Sequence, residues 1–176
     1  MSQDPHDFFD LVRALAPPGP EPFPITFNPV LDGVEHINAY SKGRTHLGRL
    51  LSNFAHTPFT VPDGTFASVE AYWYWLGCQD PHRDELMPMH GPEAKRHGRL
   101  LRERGGGQTL DDFQAHIKTA LEAKISQNST VSDLLAASSV PIVHYYVTPS
   151  GVRVPPMHQW VWRHVEKIRE RLKEDS

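Results

Sequence analysis

The segment from Pro58 to Leu76, PFTVPDGTFASVEAYWYWL, restricts the fold more than any other part of the chain. Two short extended runs flank Pro62-Asp63-Gly64, where proline presets φ and glycine takes a conformation other residues avoid, so a tight hairpin is predicted. Ser68 follows as an N-cap, because a serine hydroxyl there accepts from the free amides of the first helical turn. The predicted helix of about ten residues carries Glu70, Tyr72, Trp73, Tyr74 and Trp75. A helix that only fills a core would use Leu, Ala and Met, which lose little rotamer freedom and need no polar partner. Glu70, Trp73, Tyr74 and Gly77 fall at i, i+3, i+4 and i+7, so they share one face and set a carboxylate against aromatic rings. Such a carboxylate is desolvated, which favours its protonated form and suits acid or base work. The plainer alternative is a surface glutamate favoured by the helix dipole, with the aromatics in the core.

Around this unit the punctuation is dense, with 16 prolines in 176 residues. Phe8, Leu11, Val12 and Leu15 predict a short amphipathic helix over residues 4–15, and the connector APPGPEPFP from Ala16 to Pro24 forbids regular structure. Residues 1–24 therefore read as an appendage to one domain over residues 25–176. Asp32-Gly33 marks a turn into a strand. Gly91-Pro92 opens a helix that Gly105-Gly106-Gly107 stops. Thr109 with Asp112, and Thr130 with Asp133, resemble capping boxes. PIVHYYV is the strongest strand pattern, and Pro149-Ser150-Gly151 then turns it into VRV as a C-terminal hairpin. Met157, Trp160, Val161, Val165, Ile168 and Leu172 define a last amphipathic helix. The predicted fold class is α+β: a helix-dominated single domain with a small antiparallel sheet.

Composition bears on function mainly by exclusion. A net charge of −3 provides no general basic field for duplex nucleic acid. The single cysteine, Cys78, rules out an internal disulfide and a thiolate-built zinc site, and a reducing cytoplasm is expected. No leader pattern and no apolar run of transmembrane length is read, so no membrane partner is expected. Eleven histidines show neither His-Glu-x-x-His nor a finger spacing, so no metal and no cofactor are expected.

Two basic groups remain. AYSKGRTHLGRLLSNF places Lys42, Arg44 and Arg49 beside Gly43 and Gly48, a combination that suits a phosphate although no Walker loop is present. Lys95 and Arg99 lie at i, i+4 of the Gly91 helix, where like charges repel and need a counterpart.

Taken together, LGRLLSNF, PFTVPDGTFASVEAYWYWL and GPEAKRHGR resemble the NADAR (YbiA-like) family in order and spacing. The matching positions are Ser52-Asn53-Phe54, Val69-Glu70 with its aromatic followers, and Ala94-Lys95 with Gly98-Arg99. Ala71 stands where the family has histidine and Tyr74 where it has glutamine, and SSVPIVHYYV replaces a late Asp-x-x-Trp-Gly segment, as in a divergent, phage-type branch. The resemblance implies binding of an ADP-ribose-containing nucleotide, or of ADP-ribosylated nucleic acid, and hydrolysis of a ribosyl C–N bond, with guanine as the modified base. It implies Glu70 as stabiliser of the ribosyl cation or activator of water. Lys42 would pair with diphosphate or attack the anomeric carbon by a Schiff-base route. Arg49, Lys95 and Arg99 would hold the diphosphate, Asn53 and Phe54 the ribose side, and Tyr72, Trp73 or Tyr74 a base. A non-catalytic module that binds ADP-ribose or an NAD-derived nucleotide in the same pocket is the alternative.

Overall fold

The Pro-Asp-Gly turn closes the predicted hairpin, strands β2 (Phe59–Val61) and β3 (Gly64–Phe66), with Phe59 paired to Phe66. The computed structural model describes residues 27–155 and 159–175; the helix expected at residues 4–15, the connector and Met157 lie outside them. Ser68 caps the next helix, α2 (Val69–Leu76), by accepting from the Ala71 amide. Its Tyr72 side packs Phe59, Phe66 and Trp75, with the Phe66 and Tyr72 ring centroids 4.7 Å apart. This aromatic cluster fastens the hairpin to the helix.

Before the hairpin come β1 (Ile37–Asn38) and α1 (His46–Leu51); after α2 come α3 (Gly91–Gly105), α4 (Phe113–Ser126) and α5 (Ser129–Ala136). The chain ends in β4 (Ile142–Val143), β5 (Tyr146–Thr148), β6 (Gly151–Arg153) and α6 (Gln159–Glu174). Helix α2 is central, packed on α3 and α4, while α6 covers α4, α5 and β4. A Cβ at Gly98 would overlap the Tyr74 ring, so the α2–α3 approach requires glycine there. Gly106, at φ 88°, ends α3 where the glycine run predicts a stop.

The fold is α+β and helix-dominated, as predicted, but the strands among the described residues form three separate pairs rather than one small antiparallel sheet. β1 and β4 pair in parallel, and β2–β3 and β5–β6 are antiparallel. The single strand expected over PIVHYYV is broken at His144-Tyr145. Asn38 causes the break: its side-chain oxygen accepts from the Tyr145 amide at 3.1 Å, and its amide donates to the Tyr145 carbonyl at 3.1 Å. One side chain thus takes the place of a ladder partner, and β5 is released into its own hairpin. Two helix starts also differ. α4 begins at Phe113, after Thr109, because Asp112 binds His116 at 3.2 Å instead of closing a capping box; α5 begins at Ser129. Among the described residues no helix is long and apolar enough to cross a membrane.

Candidate functional site

Helix α1 ends at Ser52, and the turn after it organises everything around it. The Asn53 carbonyl accepts from the Glu70 amide at 2.9 Å, and the Phe54 carbonyl accepts from the Gly91 amide at 3.0 Å. Amides at helix N-termini lack intrahelical acceptors, so the turn supplies them for both α2 and α3. The three sequence segments that set the resemblance therefore converge on a single turn. Beneath it lies Lys124 of α4, which is fully buried and donates to the carbonyls of Leu51 and Ser52 at 3.2 and 2.9 Å. Burial pushes its ammonium pKa down to about 7.

Glu70, whose amide the turn holds, is only 9% exposed. Burial pushes its carboxyl up to about 7, against the opposing pull of Lys95 and Arg99 from α3. The Tyr74 phenol is raised by burial and then by the Glu70 charge, while the Arg99 guanidinium hydrogen-bonds it and pulls it back. Lys95 and Arg99 also line an open cleft of about 460 Å³ with Phe54, Pro92 and Arg96. The Lys95 ammonium stands 5.7 Å from the centre of the Phe54 ring, within cation–π range. The two cations that oppose the rise of the Glu70 carboxyl are thus also cations of the cleft wall.

A second wall approaches Glu70 from β5. Burial raises the Tyr146 phenol, followed by the charge of Glu70 and by Tyr40. Tyr146 is edge-on to His144 at 4.8 Å and to Tyr40 at 5.4 Å. His144 Nδ1 donates to the Ala39 carbonyl at 2.9 Å, and its ring packs 5.4 Å from Trp162 of α6. These rings are fixed from behind by the core.

Of the residues singled out from sequence, Glu70, Tyr74, Lys95, Arg99 and Phe54 come together here. Tyr72 does not: it is 1% exposed on the hairpin side of α2, and its hydroxyl donates to Asp63 at 2.6 Å. Trp73 is half-buried against Phe113, 4.8 Å between centroids, and against Trp160. Asn53 Oδ1 is buried with no hydrogen-bond partner among the described residues.

The basic loop before α1 is built differently from a phosphate cradle, which needs free backbone amides. Asp32 accepts from the Arg44 amide at 2.8 Å, the Gly43 amide binds the Tyr40 carbonyl, and Arg49 donates to the carbonyls of Gly43 and Arg44. Gly43 and Gly48 are there because a Cβ at either would strike the Asn38 carbonyl. Lys42 stands exposed in this turn.

Sequence reasoning missed Lys124, although a signal was present. Ile117, Ala120, Leu121, Lys124 and Ile125 follow the spacing of a core face, and a lysine in that register has to satisfy its charge inside. Tyr40 and Arg153 gave no local signal, since their place near the site depends on contacts distant in sequence.

No family model and no curated protein matches the chain. The NMR structure of the E. coli protein YbiA matches it with a TM-score of 0.60 at 23% identity, over 80% of this chain and 86% of that one. The chain has the YbiA fold. The expectation from the three sequence segments is met in the architecture: the YbiA-like core places the turn, the capped helix and the basic helix side by side.

Proposed function

We propose that this chain is an N-glycosidase that hydrolyses a ribosyl C–N bond, with ADP-ribose attached to a modified guanine as its substrate. The observation that carries the proposal is the Glu70 carboxyl, buried, titrating near neutrality, and flanked by the two cations of an open cleft. Departure of the base leaves positive charge on the ribosyl carbon, and a nearby carboxylate stabilises it. Water then bonds to that carbon and gives up a proton, while the departing nitrogen takes one. A group near half-protonation at neutral pH serves either transfer. Lys95 and Arg99 match the two charges of a diphosphate, and Phe54 offers an apolar face beside them.

Tyr74 favours a second possibility, a module that binds ADP-ribose without cleaving it. Its phenol takes the Arg99 hydrogen bond at the position where the resembled family carries glutamine.

Incubating the protein with a guanine-ADP-ribosylated oligonucleotide, with mass spectrometry for free ADP-ribose, separates the two. Release that is lost in Glu70→Gln supports the glycosidase; ADP-ribose binding without release selects the module. A Lys42→Ala variant assayed beside it tests the Schiff-base route, and near-normal rates in both variants would remove both residues from catalysis.

A further inference from the structure

The β5–β6 hairpin carries chemistry that the glycosidic centre itself does not use. Tyr146 and Arg153 are direct cross-strand partners, so their side chains project from the same face of the ribbon, while Val147 and Val152 occupy the other. On this face the Tyr146 ring sits against Tyr40 and His144, and its phenol is within electrostatic reach of Glu70 and Arg153, so this face of the ribbon is turned to the Glu70 side. Tyr146 is half-buried and Arg153 is exposed. The tyrosine is held in orientation by two edge-on neighbours, His144 and Tyr40, with interplanar angles of 80° and 88°. A ring fixed in this way is a stacking surface already ordered before a ligand arrives, so little rotamer freedom is lost on binding.

Glu70 therefore has two differently equipped neighbours. On the α3 side stand Lys95 and Arg99, which suit dispersed negative charge. On the hairpin side stand a ring platform and a planar fork of N–H donors. An arginine fork donates two parallel hydrogen bonds to a pair of adjacent acceptors, and stacked over or beside a ring it reads one edge of a planar base. The bond to be broken joins a sugar diphosphate to a base, and the two sets of residues match its two ends.

We propose that Tyr40, Tyr146 and Arg153 form a subsite for the leaving base, selecting a planar ring with two hydrogen-bond acceptors along one edge, as in a 6-oxopurine. This rests on Glu70 being the glycosidic centre, and its test is chosen to be independent of turnover.

Neutral nucleosides are the probes, since they carry no charge for Lys95 and Arg99. In NMR titrations of protein labelled at its tyrosine rings, guanosine shifts the Tyr40 and Tyr146 signals, and binds about fivefold or more tighter than adenosine. Arg153→Gln, at an exposed hairpin position, removes that preference and leaves stacking. Tyr146→Ala weakens guanosine and adenosine alike by about tenfold. Inorganic pyrophosphate, titrated as a probe of the α3 cations, binds wild type and both variants equally. Unchanged guanosine affinity and preference in both variants, or guanosine shifts that spare Tyr40 and Tyr146, overturn the subsite. A preference for guanosine that depends on Arg153, in a protein that releases no ADP-ribose, overturns the glycosidase and keeps these residues as a purine-binding subsite with no leaving base.

Discussion

Two buried ionisable groups attach to the turn around Ser52 and Asn53, and burial moves both to about 7: Glu70, whose amide donates to the Asn53 carbonyl, and Lys124, whose ammonium donates to the Leu51 and Ser52 carbonyls. Lys124 is sealed, with its ammonium on two backbone carbonyls and nothing else shifting it. Glu70 is raised by burial and pulled back by two cations, Lys95 and Arg99, which line an open cleft, while its own charge raises the Tyr74 and Tyr146 phenols. A shared value therefore does not mean a shared role. A displaced pKa whose partners are all backbone acceptors marks a brace; one whose partners are mobile charges at a cleft marks chemistry.

Their pH linkages run in opposite directions. Glu70 holds its proton more tightly folded than unfolded, so its contribution to stability is full below about pH 4.5 and is lost as pH rises through about 7. For Lys124 the unfolded chain holds more protons between about 7 and 10.5, so stability rises with pH across that window.

The sharpest test of the contrast is Glu70→Gln. It should lower ADP-ribose release by about 100-fold or more, and by removing an ionised buried group it should raise stability at pH 8 by roughly 2 kcal/mol. Chemical denaturation at pH 8 and pH 5 reads the second effect, which should vanish at the lower pH. Lys124→Met should act on the brace instead: the rise of stability between about pH 7 and 10.5 should disappear. Above that window, where the lysine penalty is gone, leaving the Leu51 and Ser52 carbonyls without a donor should cost about 2 kcal/mol, with release per folded molecule falling only as far as the turn moves. Equal loss of release in Lys124→Met and Glu70→Gln, at full folding, would erase the distinction between brace and chemistry.

Tyr72→Phe sharpens the boundary of the site. Loss of the Asp63 hydrogen bond should cost about 1 kcal/mol in thermal unfolding and leave release unchanged. The smallest effect is Lys95→Gln, which removes one of the two charges holding the Glu70 pKa down. The carboxyl titration followed by carbon NMR should move upward, and the alkaline shift should appear in any pH–rate profile.

Much of this arrangement was legible in the sequence where the chain is its own neighbour. The Pro62-Asp63-Gly64 turn, the Ser68 cap, Glu70 on a shared face with Tyr74, and the i, i+4 cations of α3 are local patterns with local causes. What stayed hidden depends on distant closure. Nothing in PIVHYYV reveals that Asn38 will interrupt it. Nothing in the basic loop around Lys42 shows that Asp32 and Arg49 consume its polar groups. Tyr72 and Trp73 are expected at a base from the sequence and instead pack on the hairpin and on Phe113, because helical spacing gives a face but not which neighbour covers it.

The clasp between Asn38 and Tyr145 spans 107 positions. Joining segments that far apart costs loop-closure entropy that no nearby contact repays, so such contacts form slowly compared with a hairpin or an α–α pair. The hairpin, α2 and α3 are assembled from neighbours in sequence and can associate early. The β1–β4 pair, and with it the Tyr146 ring beside Glu70, arrives only when the two ends of the domain meet. Contact order therefore predicts that the α2–α3 contacts around Glu70 form before the Tyr146 ring takes its place, with the Asn38 clasp and the β1–β4 pair closing late together.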